Sequence, residues 1–386
     1  MLMLLWLLYI AFGMVARSIF PLVTPILEDL RLSYAQMGMI LGSWQLTYIL
    51  AALAAGSILD RWGIRKSIMA GAFIIAASAG LRYFADGFFC MLAAVALFGA
   101  GGPMISIGGP KTISEWFEGK DRATAVGMYT TGPWLGGLLA LSLTNSLIMP
   151  LVNGSWRLAF VCYGVVTLML AVCWWICSRR IAASPETNDD LPFTGVFRHL
   201  VRIKTVRILL VMSVLSFALG HGISGWLPRI LEGKGLSASL AGFAAALPLA
   251  AGVPAVLFLP RLIPEKFRGK AIAVCALLTI FNLMVVMTSS GTLLFGALIV
   301  YGFFASPFMP LMLLILMNTP EIESRYMGAA GGMFFCVAEI GGFTGPLIMG
   351  ILVDMTGTFM AGALFLACLC LVLAGLSYAL EKQEHG

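Results

Sequence analysis

Long apolar runs, separated by short polar loops, repeat along almost the whole chain. A run of about 20 such residues is the length of helix that crosses roughly 30 Å of hydrocarbon. Twelve runs meet this criterion, and they lie at approximately 4–27, 34–59, 67–84, 88–114, 123–149, 156–178, 207–231, 238–260, 271–289, 292–318, 327–353 and 359–380. Only 11% of the 386 residues are charged, against about 25% in an average soluble domain. We therefore predict that lipid surrounds most of the surface.

Continuous apolar runs predict helices and not a β-barrel. A backbone in lipid must satisfy its own polar groups, and barrel strands show alternating segments of about ten residues. The predicted fold is therefore an all-α membrane protein with twelve transmembrane helices. We interpret the first run as a span and not as a cleaved leader, because no basic region precedes it.

The distribution of Lys and Arg predicts which side of the membrane each loop faces. If the N-terminus is inside, most of the 24 Lys and Arg residues fall in inside loops. The outer loops then contain only Arg31, Arg82, Arg157, Arg229 and Lys234. Because inner loops carry an excess of these residues, we predict a multi-pass protein of the bacterial inner (plasma) membrane with both termini cytoplasmic.

The longest polar segment divides the spans into two sets of six. It predicts a first bundle at 1–178, a cytoplasmic linker at 179–206 and a second bundle at 207–386. The two sets also share sequence, because segment 25–38 aligns with segment 229–242 at an offset of 204, with six identities in fourteen positions. An even number of spans in each copy makes the copies parallel. We therefore expect two six-helix bundles related by a pseudo-two-fold axis along the membrane normal.

The loop after the second span contains a spaced pattern of glycines and charges, GSILDRWGIRK at 56–66, and the fourth loop reads WFEGKDRA at 116–123. The first matches the major facilitator signature G-x-x-x-D-R-x-G-x-R-K at every fixed position. The second resembles the W-F-x-x-x-E-R-A segment of the same superfamily. Over its whole length the chain thus resembles the secondary transporters of the major facilitator superfamily.

This resemblance implies a gate on the cytoplasmic side. In that family the aspartate of the signature faces a helix N-terminus of the other half, which is a favourable contact between charge and dipole. We expect Asp60 to latch the inner gate in this way in the outward-open state. The two glycines of the pattern permit close approach and a tight turn, and its last two basic residues are explained equally well by the bias of positive charge toward the inside. The predicted gate residues are Gly56, Asp60, Arg61, Gly63, Arg65, Lys66 and Arg122.

Three ionisable residues lie deep within the predicted spans: Arg17, His221 and Glu339. Such residues are costly in a membrane and are functional hypotheses by default. Arg17 and His221 each lie about ten residues, or roughly 15 Å, from the outer end of their spans. The offset of 204 relates the two. Since spans one, four, seven and ten line the central cavity in the family that the chain resembles, we expect Arg17 and His221 to face each other where substrate binds.

The sequence around Arg17 is similar to the first span of the superfamily's organic-anion symporters, where D-R-x-x-L-x-x-x-x-P-x-I-x-x-D-L is typical and the arginine contacts the substrate anion. A guanidinium offers paired donors to a carboxylate. The alternative is that Arg17 binds a protein carboxylate or backbone carbonyls. The fourth span departs from those symporters because it lacks their usual glutamate. A proton site must then lie elsewhere.

His221 and Glu339 are the candidates for that proton site. The unperturbed pKa of histidine, about 6.5, suits a proton carrier, and Glu339 is the one carboxylate that lies deep in a predicted span. Each also has a structural interpretation, as a packed or hydrogen-bonded side chain. Lys111 can snorkel from the end of span four, which leaves a substrate role and a structural role open. The further cavity candidates are Gln45, Tyr48, Ser106 and Ser306.

These patterns predict a secondary active transporter that moves a small organic anion of carboxylate type by alternating access, coupled to protons. The alternative is a proton-driven exporter of drugs or lipophilic metabolites, because GPWLGG at 132–137 looks like part of a motif of the family's drug/proton antiporters. A similar run, GGFTGP at 341–346 in span eleven, favours a hinge geometry that the two halves share over a drug substrate. No nucleotide loop or catalytic constellation is present, so we predict no enzyme, no cofactor and no metal. The expected partners are an anionic substrate, protons and the lipid bilayer, without nucleic acid, and the expected state is a monomer.

Overall fold

The computed structural model describes residues 1–180, 193–323 and 326–384, and these residues form helices and turns without a strand. The helices of the first half are α1 (Leu2–Arg17), α2 (Val23–Asp29), α3 (Tyr34–Leu81), α4 (Phe88–Ser106), α5 (Gly108–Trp116), α6 (Gly119–Thr130), α7 (Gly132–Leu143), α8 (Met149–Leu151) and α9 (Trp156–Cys177). Those of the second half are α10 (Phe193–Arg202), α11 (Lys204–Gly233), α12 (Ala238–Leu262), α13 (Arg268–Thr288), α14 (Gly291–Ala305), α15 (Phe308–Met317), α16 (Met327–Thr356) and α17 (Phe359–Glu384). The all-α prediction is confirmed. Of the predicted linker, residues 181–192 lie outside the described residues.

Within the described residues, 11 helical stretches are long and apolar enough to cross a membrane. One of them, Tyr34–Phe84, has 51 residues, which would extend about 76 Å as one straight helix. The backbone turns at Gly63, where φ is 76° and ψ is 156°, a conformation that is open to glycine and strained for other residues. The stretch is therefore two spans joined at a tight turn. The prediction of twelve spans is confirmed.

Large apolar side chains cover the outside of the helices as well as their interfaces. Phe89 is 79% exposed and Met355 is 76% exposed, whereas Phe98 and Trp174 are fully buried. A water-facing surface would not carry this many exposed apolar groups. The distribution fits a protein whose outer surface contacts lipid.

Two spans are interrupted four residues before a proline. In an unbroken helix the carbonyl of Arg17 would accept a hydrogen bond from residue 21, but Pro21 has no N–H group. The carbonyl of Ser106 loses its partner at Pro110 in the same way. Accordingly α1 ends at Arg17 and α4 ends at Ser106. Span ten is also broken, between α14 and α15.

Glycines bring helices into equivalent close contact in the two halves. A Cβ atom added at Gly136 would lie 2.1 Å from the carbonyl oxygen of Ile10, and one added at Gly341 would lie 2.0 Å from that of Val214. The offset that aligns the two halves, about 204, relates both glycines and both carbonyls. Small residues allow helix backbones to approach this closely. Span five therefore packs on span one as span eleven packs on span seven.

A second pair of crossings repeats the pattern. A Cβ atom added at Gly99 would lie 2.0 Å from the carbonyl oxygen of Trp44, and one added at Gly302 would lie 2.2 Å from that of Pro248. Span four thus packs on span two as span ten packs on span eight. The two six-helix sets share one internal packing scheme, as expected for a duplicated sequence.

By their packing, the described residues divide into two units. The first spans Met1–Asn188 together with Gly225–Ala246, and the second spans Asp189–Ser224 together with Leu247–Gly386. The parts of spans seven and eight on either side of the loop that joins them, Gly225–Ala246, therefore pack with the first half, although their sequence belongs to the second.

Candidate functional site

Arg17 lies at the break in span one and reaches the break in span five. Its Nη1 donates a hydrogen bond to the carbonyl oxygen of Pro133 at 3.1 Å, and Pro133 lies in the first turn of α7. This is the backbone contact that the sequence left open as an alternative to substrate binding. The bond uses one of the five N–H groups of the guanidinium. No carboxylate of the described residues forms an ion pair with Arg17.

Tyr48 and Ser106 come together as one pair of hydroxyl groups. Their oxygen atoms are 2.7 Å apart, and either group can donate. The ring of Tyr48 lies against Gly102, where an added Cβ would be 2.8 Å from Cδ2 of the ring. Ser106 ends α4 at the break in span four, and Gln45, one turn before Tyr48, is 1% exposed. Three of the predicted cavity residues therefore lie on neighbouring helices of the first unit.

The remaining predicted binding and proton residues lie in the second unit. Glu339 is 8% exposed, and its Oε2 has no hydrogen-bond partner among the described residues. Ser306 lies at the break in span ten, where its hydroxyl donates to the carbonyl of Gly302 at 2.7 Å. The ring of His221 lies 5.6 Å from that of Phe217. The predicted meeting of His221 with Arg17 stays a prediction.

Asp60 forms an ion pair that the sequence did not predict. Its Oδ1 lies 2.5 Å from Nζ of Lys111, and the two side chains are 38% and 22% exposed. The pair joins the end of span two to α5. Lys111 thus has a structural partner. No sequence pattern predicted this ion pair, because a lysine at the end of a span is ordinarily interpreted as a residue that snorkels toward water.

The other charges of the two signature loops bind backbone groups. Arg122 donates to the carbonyl oxygens of Ser114 and Phe117, at 2.7 and 2.8 Å, and so satisfies carbonyls at the C-terminus of α5. Arg65 donates to the carbonyl oxygen of Trp175 at 2.6 Å, and its guanidinium lies 3.8 Å from the ring centre of the same residue. Arg65 therefore joins the loop to span six, beyond its contribution to the charge bias.

The remaining gate candidates make few contacts. Arg61, Lys66 and Gly56 are exposed. A Cβ atom added at Gly56 would meet nothing within 4 Å among the described residues. The close approach expected of Gly56 is therefore not made in this structure, whereas the tight turn expected of Gly63 is present.

Sequence analysis missed a group of polar contacts at the span ends near the loops 30–33 and 234–237. Thr24 donates a short hydrogen bond to Glu232, and Arg229 donates to the hydroxyl of Tyr34 at 3.3 Å. The amide of Asn145 donates to two carbonyls, those of Pro21 at 3.0 Å and Ala238 at 3.2 Å. Thr24, Tyr34, Arg229 and Glu232 lie in or beside the segment that repeats between the halves, whereas Asn145 lies in span five. The repeat itself was the signal that could have indicated them.

Arg82 is buried although it lies at the end of a span, where the sequence predicts a loop. Its side chain is 1% exposed. It follows directly after α3, and its long side chain folds back between the helices instead of extending into water.

The glycine-proline run of span five is a helix crossing. Besides Gly136, an added Cβ at Gly13 would lie 2.4 Å from the carbonyl oxygen of Pro133. Because Gly341 in span eleven makes the equivalent contact, the run describes packing that both halves share. It gives no separate support to the exporter alternative.

Comparison with known proteins agrees with this architecture. A family model described as Major Facilitator Superfamily matches residues 5–340. The chain is 25% identical to the hexuronate transporter of Bacillus subtilis (strain 168), over 94% of this chain and 89% of that protein. It is 24% identical to the D-galactonate transporter of Escherichia coli O6:H1 (strain CFT073), over 92% of this chain and 88% of that protein. The solved structure of a nucleoside transporter has the same fold, with a TM-score of 0.84 at 14% identity, over 98% of this chain and 99% of that one. The chain therefore belongs to the major facilitator superfamily and is an integral membrane protein with many spans.

Proposed function

We propose that this protein is a secondary active transporter for a small organic anion, a sugar acid of the hexuronate or aldonate class. The observation that carries the proposal is Arg17, a cation at the break in span one without a carboxylate partner in the described chain. Irregular backbone at membrane depth is tolerated where it is buried in protein or lines a cavity. The relatives named hexuronate and D-galactonate transporters support the same substrate class.

The chemistry of a sugar acid matches the two kinds of group in the first unit. Its carboxylate fits the planar fork of Arg17, which donates two parallel hydrogen bonds. Its hydroxyls can exchange with the hydroxyl pair of Tyr48 and Ser106, since each of these groups both donates and accepts. A site built to bind both a carboxylate and hydroxyls would discriminate strongly against analogues that lack one of them.

Transport would proceed by alternating access of the two halves, 1–178 and 207–386, joined by the linker 179–206. Asp60 and its neighbours would gate the cytoplasmic side. His221 and Glu339 would carry the coupled proton, and the observation behind that role is the buried Oε2 of Glu339, which has no hydrogen-bond partner in the part of the chain that the structure describes. The protein would act as a monomer in the bacterial inner membrane, with both termini cytoplasmic.

Uptake by the purified protein in proteoliposomes tests the proposal. Galacturonate and galactonate should be taken up when the outside is acidic, and neutral galactose should not. Arg17→Ala should abolish uptake, and Arg17→Lys, which keeps the charge but loses the fork, should raise KM strongly. Arg261→Ala is the matched control, because it removes an exposed cation from the last turn of α12. If Arg17→Ala transported normally, or if only neutral or cationic solutes moved, the anion assignment would be wrong and the exporter alternative would replace it.

A further inference from the structure

Arg82 is a buried cation of the first unit. Its side chain is 1% exposed, and within the described residues it forms no ion pair. Its Nε also has no hydrogen-bond partner there. A buried guanidinium without a counter-charge is costly. Its surroundings must therefore supply negative potential from groups other than carboxylates.

Three electron-rich groups surround this guanidinium. Nη1 lies 3.5 Å from the carbonyl oxygen of Val15, and Nη2 lies 3.4 Å from Oγ of Ser78. The guanidinium carbon lies 4.8 Å from the ring centre of Phe160, within the range of a cation–π contact. Arg82 therefore joins spans one, three and six from inside the first unit.

The carbonyl of Val15 belongs to the last turn of α1, which ends at Arg17. The last four carbonyls of a helix lack partners within the helix, and they form the negative end of its dipole. The hydroxyl of Ser18 donates to the same Val15 oxygen at 2.9 Å. Pro21 has no N–H group for the carbonyl of Arg17. The end of α1 thus presents negative potential to Arg82, and Arg82 helps to satisfy the carbonyl of Val15.

We propose that Arg82 is a positioning residue, which holds the last turn of α1 so that Arg17 reaches the substrate anion in a fixed orientation. The inference rests on the proposed role of Arg17. Val15 is two residues from Arg17, so a shift of this turn moves Arg17 directly. Arg17 itself is fixed to Pro133 of span five, and Arg82 fixes the same turn to spans three and six. Together these contacts hold the interrupted end of α1 from both sides.

The test is the kinetics of galactonate uptake by variants of the full-length protein in proteoliposomes. Arg82→Met keeps much of the volume but removes the charge, and it should raise KM about tenfold with little change in maximal rate, because misplaced binding groups weaken substrate capture. Arg82→Lys keeps a cation beside the Val15 carbonyl and should recover most of this loss. Arg157→Met is the matched control. Arg157 also joins spans one, three and six, through Asp29, Ala85 and the ring of Trp156, but it does not touch the end of α1, so KM should stay unchanged.

A double variant separates positioning from general stability. If Arg82 acts through Arg17, then Arg17→Lys combined with Arg82→Met should raise KM by less than the product of the two single effects. Full multiplicativity would overturn the inference, as would an Arg82→Met protein with a lower melting temperature but an unchanged KM. If Arg82→Met does not fold, Ser18→Ala removes the other donor to the Val15 oxygen and should raise KM by a smaller factor. An unchanged KM for Ser18→Ala would then refute the proposal.

The failure of this inference is distinguishable from failure of the proposed function. Normal uptake by Arg17→Ala would refute the anion role of Arg17 and the positioning role with it. Impaired uptake by Arg17→Ala together with normal KM for the Arg82 variants would refute the positioning role alone.

Discussion

The crossing of spans one and five at Gly136 allows a quantitative test of the packing. A Cβ atom added there would lie 2.1 Å from the carbonyl oxygen of Ile10 and 2.8 Å from the backbone nitrogen of Met14. A carbon and an oxygen in ordinary contact are about 3.3–3.6 Å apart. Both neighbours are backbone atoms, which no side-chain rotation can move. Gly136→Ala therefore requires the two helices to separate by roughly 1.2 Å.

The expected cost follows from this displacement. Inserting a methyl group into a packed interface costs about 1–3 kcal/mol. Gly127→Ala, on the same span, is the matched control, because its added Cβ meets nothing within 4 Å among the described residues. In a helix interior that change stabilises by about 0.5–1 kcal/mol. The two alanine variants should therefore differ by about 1.5–4 kcal/mol.

The melting temperature of the purified protein measures the difference, and KM for galactonate measures its functional consequence. Pro133, whose carbonyl holds Arg17, lies one turn from Gly136, so separating the helices also displaces this anchor. Gly136→Ala should melt below wild type and should raise KM, whereas Gly127→Ala should do neither. Equal melting temperatures for the two variants would refute the packing argument. A lower melting temperature with an unchanged KM would leave the crossing intact but break its link to Arg17.

Three further outcomes are expected. Lys111→Met frees Asp60 from its ion pair and should favour the outward-open state, while Asp60→Asn should favour the inward-open state; unchanged cysteine accessibility from outside in both variants would contradict the gate. Glu339→Gln should abolish accumulation driven by a pH gradient but keep counterflow exchange. His221→Ala should flatten the decline of uptake with rising pH. If a variant behaves like wild type in its assay, the substituted residue is not the proton carrier. Asn145→Ala removes the hydrogen bonds of this amide to Pro21 and Ala238 and should speed cysteine labelling from outside; a rate equal to that of wild type would show that these bonds do not hold the span ends together.

The fold could be predicted because its determinants are properties of long segments. Hydrophobic length, loop charge and the offset of 204 each average over many residues, so that errors at single positions do not matter. The same offset then correctly related contacts that the sequence did not suggest, such as Gly99 on Trp44 and Gly302 on Pro248. The boundary that the sequence could not indicate is the division of spans seven and eight between the two packing units, because this depends on how the helix ends meet and not on hydrophobicity.

Site residues could be predicted from the sequence only where a single residue is unusual by itself. Arg17 and Glu339 stood out because charges within spans are rare. The partners of such residues were not accessible, because the ion pair of Asp60 with Lys111 joins positions 51 residues apart and any of several cations near the loop could have formed it. The burial of Arg82 was not predicted, for a related reason. A span end fixes where the backbone leaves the membrane, but a side chain as long as arginine can turn in either direction.

The breaks in spans one and four connect the fold with the site. Each break has a local cause in the sequence and a consequence for substrate binding. Pro21 and Pro110 each remove the N–H group that the carbonyl four residues earlier requires, and those carbonyls belong to Arg17 and Ser106. A free carbonyl facing lipid would cost several kcal/mol, so each break must lie against protein or water. Two residues chosen from the sequence as substrate ligands, one for its charge and one for its hydroxyl, therefore lie where the backbone itself requires a polar environment. This coincidence, and not either residue alone, is the strongest physical reason to place the anion site beside the end of α1.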